Sequence, residues 1–310
     1  MTTDTMRIAI TGASGMIGAT LARIALSEGH EVIAIVRPGS KRIENLPRSE
    51  SLTLVECDIK DYRTLHGQEE CDVFFHLAWD KTSVTGRDDV RIQTENIKYT
   101  LDAVELAHSW GASVFVGAGS QAEYGRVNVK LNEKVPVNPE SGYGIAKYAA
   151  GKFSGIMCKQ LNIRFCWARI LSVYGELDAD HTLIMYLIKT LLKGEVPELT
   201  ACEQTWDYIY ADDAAGALLA IGLRGVNGKT YCIGSGSCRK MKEYVEAVNN
   251  IINPDIRLDF GSKEYYPHQV MNLCADTHDL ERDTSFKPRF SFEEGISRVV
   301  SYVQNQNKDL

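Results

Sequence analysis

The stretch Arg7-Ile8-Ala9-Ile10-Thr11-Gly12-Ala13-Ser14-Gly15-Met16-Ile17-Gly18 decides how this chain folds. A short apolar strand, Arg7–Thr11, runs without a spacer into three glycines spaced three apart. Ala19–Ser27 then carries apolar residues at helical spacing until Gly29 stops it. Reading outward, Val32–Val36 is a continuous apolar run, the pattern of a strand buried on both faces, and Leu52–Glu56 and Val73–Leu77 repeat it. Thr94–Trp110 reads as a long amphipathic helix closed by Gly111, Ser113–Val116 as a strand, Tyr143–Leu161 as a helix and Arg164–Leu171 as a strand. Strands alternating with helices predict an α/β fold, a Rossmann-type doubly wound parallel sheet. After residue 172 the alternation loosens, with isolated helical stretches at Leu183–Lys193 and Tyr244–Asn253.

Composition sets the frame. The chain has 310 residues, 44% hydrophobic and 24% charged, as expected of a globular protein rather than a disordered one. Asp plus Glu number 41 against 34 Lys plus Arg, a formal charge of −7. That balance argues against nucleic acid or an anionic membrane as partner. Met1–Thr5 lacks the basic and apolar stretches of a secretory signal, and Val73–Trp79 is too short to span a bilayer, so the expected location is cytoplasmic. The eight cysteines stand singly, without a CxxC pair, and are expected to be reduced thiols, with no metal site.

A glycine turn between the first strand and first helix lets backbone approach a pyrophosphate, which the helix N-terminus attracts. Gly12, Ser14, Gly15, Met16 and Ile17 are therefore candidate dinucleotide-binding residues. Residues 1–172 are expected to form the dinucleotide-binding domain, with later segments returning to it. Residues 173–310 would mainly form a smaller C-terminal substrate-binding lobe. An NAD site of this kind usually has an acidic residue at the end of the second strand. Here that strand ends Val36-Arg37-Pro38-Gly39-Ser40-Lys41-Arg42. Arg37, Ser40 and Lys41, with Arg42, suit a 2′-phosphate, so NADP(H) is favoured and NAD(H) is the alternative. Asp58, after the third strand, reads either as an adenine contact or as a helix N-cap.

Tyr143 and Lys147 lie four residues apart on one helix face. A lysine ammonium and a nicotinamide cation would lower the phenol's pKa and let Tyr143 exchange a proton with a hydroxyl while hydride passes at carbon. Ser120, at the end of a strand, could polarise the same oxygen.

At this point the sequence resembles the extended short-chain dehydrogenase/reductase family, in its nucleotide-sugar epimerase/4-ketoreductase branch. The resemblance runs over nearly the whole chain. Thr11–Gly18 is similar to the family's cofactor turn, Cys57-Asp58-Ile59-Lys60-Asp61 to its adenine-contacting segment, and His76-Leu77-Ala78-Trp79 to the segment passing the cofactor ribose. It implies that Asn96 shapes the active site, that Ser120, Tyr143 and Lys147 are the catalytic set, and that the protein is a homodimer. Trp206–Asp213 resembles the family's Arg-Asp-Phe-Val-Tyr-Val-Asp-Asp stretch, and Ala275-Asp276 and Glu293-Glu294-Gly295 its C-terminal pattern.

The departures are informative. Ser172 stands where many members have asparagine, Trp206 where a diphosphate-binding arginine is common, and Tyr266-Pro267-His268 near a second such arginine. Arg164, Lys189, Lys193, Arg239 and Arg282 are the substitutes to consider, unless the substrate carries less charge there. Ser120, Gln121, Tyr143, Ser172 and Trp206 are the candidate substrate contacts. Ser120-Gln121-Ala122 lacks the acidic pair that the resemblance would require for a 4,6-dehydratase, and Glu123 would point to the other face. The expectation is NADPH-dependent reduction of a 4-keto-6-deoxy nucleotide sugar. The alternatives are a nucleotide-sugar 4-epimerase with tightly bound NAD and, in another class, a dinucleotide-binding sensor without turnover.

Overall fold

The structure is a computed structural model and describes residues 4–82, 86–266 and 269–306. Its main sheet has seven strands, all parallel. Strand β1 (Arg7–Thr11) leads through the glycine turn into α1 (Met16–Ser27), followed by β2 (Glu31–Val36), β3 (Leu52–Glu56) and β4 (Val73–His76). Next come α2 (Val90–Ser109), β5 (Val114–Ser120), α3 (Gly142–Gln160) and β6 (Arg164–Ile170). The remaining elements are β7 (Ser172–Tyr174), α4 (Leu183–Leu192), β8 (Glu198–Leu199), β9 (Thr205–Trp206), β10 (Tyr208–Tyr210) and α5 (Ala211–Arg224). They continue with β11 (Lys229–Ile233), β12 (Arg239–Lys240), α6 (Met241–Ile252), β13 (Asp259–Phe260), α7 (His278–Thr284) and α8 (Phe292–Gln306).

The sheet order is β11-β6-β5-β4-β1-β2-β3. The chain winds outward from β1 in both directions, and a crevice opens where the order reverses, beyond the carboxyl ends of β1 and β4. Side chains alternate across the sheet. Ile8 and Ile10 face a core shared with α1 and α5, whereas Ala9, Phe74 and Phe115 face one shared with α2 and α3. A third core joins α4, α6 and α8 around Tyr174, Tyr244 and Phe292.

Several elements differ from the sequence reading, among them β3, an edge strand that is largely exposed rather than buried on both faces. Helix α2 begins at Val90 rather than Thr94, because Asp89 caps it by accepting from Ile92 N at 3.2 Å. Strand β5 runs on to Ser120 instead of ending at Val116. Gly117 and Gly119 are strand residues opposite Trp167 and Arg169, and the absence of their side chains makes room for the Trp167 indole. Helix α5 is absent from the sequence reading.

The reading of eight separate thiols is corrected. Cys238 and Cys274 form a disulfide, with Cα atoms 5.8 Å apart. The other six cysteines are free and buried. Asp207 lies close enough to both sulfurs to suggest a metal cluster. However, its carboxylate accepts from Ser235 N, Ser235 Oγ, Gly236 N and Ala275 N, and the two sulfurs are spent on each other. Among the described residues no helix is long and apolar enough to cross a membrane.

Candidate active site and cofactor groove

A groove of about 720 Å³ runs along the carboxyl edge of β1, β2, β3 and β4. Gly12, Ser14, Gly15, Arg37, Ser40, Lys41, Arg42, Asp58, Ile59, Leu77, Ala78 and Trp79, all singled out from the sequence, line it. Gly12 has φ +68°, and a Cβ there would lie 2.9 Å from Ala78 N, so only glycine lets the turn pass this close to β4. Helix α1 has no side-chain cap and no acidic residue in its first turn. Its N-terminal amides and partial positive charge therefore remain for an anion in the groove. These features fit a dinucleotide pyrophosphate. Met16 and Ile17 open α1, and Ile17 packs against the core.

At the far end of the groove, the end of β2 offers no carboxylate. Arg37, Lys41 and Arg42 are exposed, and none of them has an acidic partner among the described ion pairs. Ser40 caps the short turn that carries the other two cations, accepting from Arg42 N. Asp58 lines the groove and caps its own turn, accepting from Lys60 N at 3.3 Å.

Ser120, Tyr143 and Lys147 converge beyond the other end, from β5 and α3, and all are buried. Lys147 Nζ donates to Ala118 O at 2.7 Å and sits 3.7 Å from the centre of the Trp79 ring. Trp79 is held by a bond from Nε1 to Gln93 Oε1 (2.9 Å) and meets the Tyr143 ring edge-on. Burial lowers the Lys147 pKa to about 7, against a smaller upward pull from Glu123. Burial raises the Tyr143 phenol, opposed by a hydrogen bond with Ser120 and by the Arg87 charge. Two cations face the phenol ring, Arg87 and, 5.8 Å from the ring centre, Lys147 Nζ. The Arg87 guanidinium lies 5.0 Å from the Tyr143 ring centre. No motif marks Arg87; it arrives through the loop before α2, whose Arg87 carbonyl accepts from Tyr143 N.

Asn96 does not face the groove. It is fully buried and spends its amide on Asp80, accepting from Asp80 N at 2.8 Å and donating to Asp80 O at 3.0 Å. It shapes the site by fixing the segment after β4. His76 is likewise buried; its Nδ1 pairs with Thr11 Oγ1 at 2.9 Å, and burial, then Lys147, lowers its pKa to about 3.

A second cleft, about 610 Å³, opens beside Ser120 and is lined by Gln121, Ala122, Asp88, Arg126, Ser141 and Val270, among others. Trp206 and Ser172 bond to each other, Nε1 to Oγ at 2.8 Å, and do not line this cleft. Most of the substitute cations are occupied within the chain. Arg164 donates to the carbonyls of Gly222 and Gly225, Lys189 pairs with Asp180, Arg239 with Glu293, and Arg282 with Asp279 and Asp283. Tyr266 is exposed; Pro267 and His268 lie outside the described residues.

Fold and site define a class: a dinucleotide-binding α/β protein with a buried serine, tyrosine and lysine, the last two packed on Trp79 of the groove. The chain belongs to the NAD dependent epimerase/dehydratase family, whose model matches residues 8–234. It is thus an enzyme of the extended short-chain dehydrogenase/reductase type, among the nucleotide-sugar epimerases and dehydratases. It is 26% identical to a UDP-glucose 4-epimerase of Mycolicibacterium smegmatis, over 98% of this chain and 100% of that one. It is 25% identical to a CDP-abequose synthase of Salmonella muenchen, over 95% and 97%. Among solved structures it is similar to a UDP-N-acetylglucosamine 4-epimerase from Methanobrevibacter ruminantium in complex with UDP-N-acetylmuramic acid (TM-score 0.88, 24% identity, 98% and 100% coverage). It also resembles a Thermus thermophilus UDP-glucose 4-epimerase in complex with NAD (TM-score 0.84, 21% identity, 96% and 99% coverage).

Proposed function

We propose that this enzyme reduces the keto group of a 4-keto-6-deoxy nucleotide sugar with NADPH. The observation that carries this reading is the adenosine end of the groove. Arg37, Ser40, Lys41 and Arg42 line it where an NAD site would have a carboxylate at the end of β2. A guanidinium fork suits a 2′-phosphate, and a net reductase draws on NADPH. When bound, the cofactor supplies hydride to the carbonyl carbon. Tyr143 then gives its proton to the carbonyl oxygen as negative charge develops there, and Ser120 holds that oxygen with its hydroxyl. Lys147, fixed by Ala118 O and the Trp79 ring, places a positive charge beside the reacting atoms. The sugar would occupy the cleft beside Gln121.

A nucleotide-sugar 4-epimerase that keeps NAD and returns the hydride is the second reading. The curated and structural relatives named as 4-epimerases favour it. The same three side chains would serve, with Tyr143 first accepting and then returning the proton. Identification of the nucleotide released on denaturing fresh protein separates the two. Protein that arrives empty and binds NADPH at least about tenfold more tightly than NADH (~1.4 kcal/mol) supports the reductase; stoichiometric NAD supports the epimerase.

The protein is further proposed to be a homodimer. Ile145, Phe153 and Ile156 on α3, with Val90 at the start of α2, are each at least half exposed. The three α3 residues follow helical spacing along one stripe.

A further inference from the structure

We infer that Glu123 is a positioning residue that holds Ser120 in register for the reaction, and that Trp167 and Arg169 hold Glu123. The inference rests on the reading of Ser120 as the group that binds the substrate oxygen. Ser120 ends β5, and a single turn of 3₁₀-helix, Gln121–Glu123, follows it. Within that turn Ser120 Oγ accepts from Ala122 N at 3.2 Å, so its own proton is left to donate outward. Ser120 N donates to Glu123 Oε1 at 2.9 Å. The side chain of Glu123 therefore folds back beneath Ser120 instead of entering the cleft.

Glu123 has no exposed surface. A carboxylate that deep needs several donors. Oε1 accepts a second bond from Trp167 Nε1 at 2.9 Å, and Oε2 accepts from Arg169 Nε at 2.7 Å. Arg169 is itself 5% exposed and lies over the Tyr124 ring, 4.4 Å from its centre. Glycines admit the indole: a Cβ on Gly151 would lie 2.7 Å from Trp167, and one on Gly119 would lie 2.5 Å from Glu123 Oε1. Two residues of β6 thus hold the carboxylate of Glu123, which accepts from one backbone amide, that of Ser120. For stability alone, an apolar filling would serve as well as a buried ion pair. Fixing one amide needs an acceptor aimed at it.

The test uses the full chain and variants that leave no charge unpaired. Glu123→Leu with Arg169→Met removes the acceptor, and Glu123→Gln with Arg169→Met keeps an oxygen for Ser120 N and Trp167. With a 4-keto nucleotide sugar and NADPH, the Leu/Met variant is expected to lose about ten- to hundredfold in kcat. Its dissociation constant for NADPH should be unchanged. Adding Ser120→Ala to it should cost little more, because both changes act through one hydroxyl. The Gln/Met variant should recover most of kcat. Multiplicative losses, or unchanged kcat with only a lower melting temperature, overturn the inference. A substrate-free measurement covers the case in which the wild type turns over no keto sugar and the proposed function fails. Hydrogen exchange at the Ser120 amide should speed up in the Leu/Met variant and stay slow in the Gln/Met variant. Equal protection in all three proteins overturns the inference on its own terms.

Discussion

Lys147 Nζ lies 3.7 Å from the centre of the Trp79 ring, close enough for the π face to stabilise the ammonium in a site where burial disfavours it. A cation–π contact of about 1 kcal/mol corresponds to ~0.7 pH unit. Trp79→Leu removes the ring and lowers the Lys147 pKa further from its value of about 7. The alkaline limb of the kcat profile should therefore move to lower pH. Steady-state rates across pH check this; an unmoved limb would mean the ring only fills space.

The same lysine predicts a trade between stability and function. Its ordinary pKa of 10.5 falls to about 7 on folding. Between those values the unfolded chain holds a proton that the folded chain lacks, so this group's contribution to stability rises with pH across that window. At or below pH 7 the folded protein bears the whole cost of burying the ammonium. Lys147→Met should abolish turnover and stabilise the cofactor-free protein at pH 7 by about 1–4 kcal/mol, with the gain fading toward pH 10. Denaturant melts at the two pH values decide it.

Cofactor choice should follow Arg37. Arg37→Ala is expected to weaken NADPH binding by about ten- to a hundredfold, the 1.5–3 kcal/mol of a charge-assisted bond. NADH binding should change little, because NADH has no 2′-phosphate to lose. Fluorescence titration with both nucleotides reads the difference. Equal weakening of the two would make Arg37 a general electrostatic contributor.

Much of this site was legible because its chemistry is written locally. The Gly12 turn needs glycine for close approach to Ala78, and Tyr143 and Lys147 share a face simply by being four apart. What was not legible depends on distant partners. Glu123 reads as a misplaced acid until Trp167 and Arg169 come across from β6, and the strand reads as ending at Val116 until the indole fills the space over Gly117 and Gly119. Asp207 and Asp213 belong to a stretch that resembles a family motif but whose purpose its sequence does not state. In the fold they are clamps: Asp207 holds the turn at Ser235 and Ala275, and Asp213 accepts from Arg289 N and Phe290 N. Arg87 carries no pattern, because only the loop before α2 brings it over Tyr143.

The exposed apolar stripe on α3 gives a prediction about assembly. Phe153→Glu with Ile156→Glu places two charges where Phe153 and Ile156 are 50% and 58% exposed. Sedimentation velocity should show a dimer for the wild type and a monomer for the variant. The melting temperature of the variant should fall only modestly, since neither side chain belongs to the buried core. A wild-type monomer would sink the dimer proposal.

The disulfide gives the last test. Cys238 and Cys274 are 36 residues apart, and the bond joins the turn before β12 to the segment that pairs Ala275 with Leu131. Closing a loop of that length restricts the unfolded chain by about 4 kcal/mol at most in the chain-entropy view. Reduction, or Cys238→Ser with Cys274→Ser, should lower the melting temperature. The local clamp survives reduction, because Asp207 still accepts from Ser235, Gly236 and Ala275. The main sheet and the dinucleotide groove use neither cysteine. NADPH affinity should therefore be unchanged on reduction while stability falls. A loss of cofactor binding on reduction would show that the lobe and the groove are coupled through this bond.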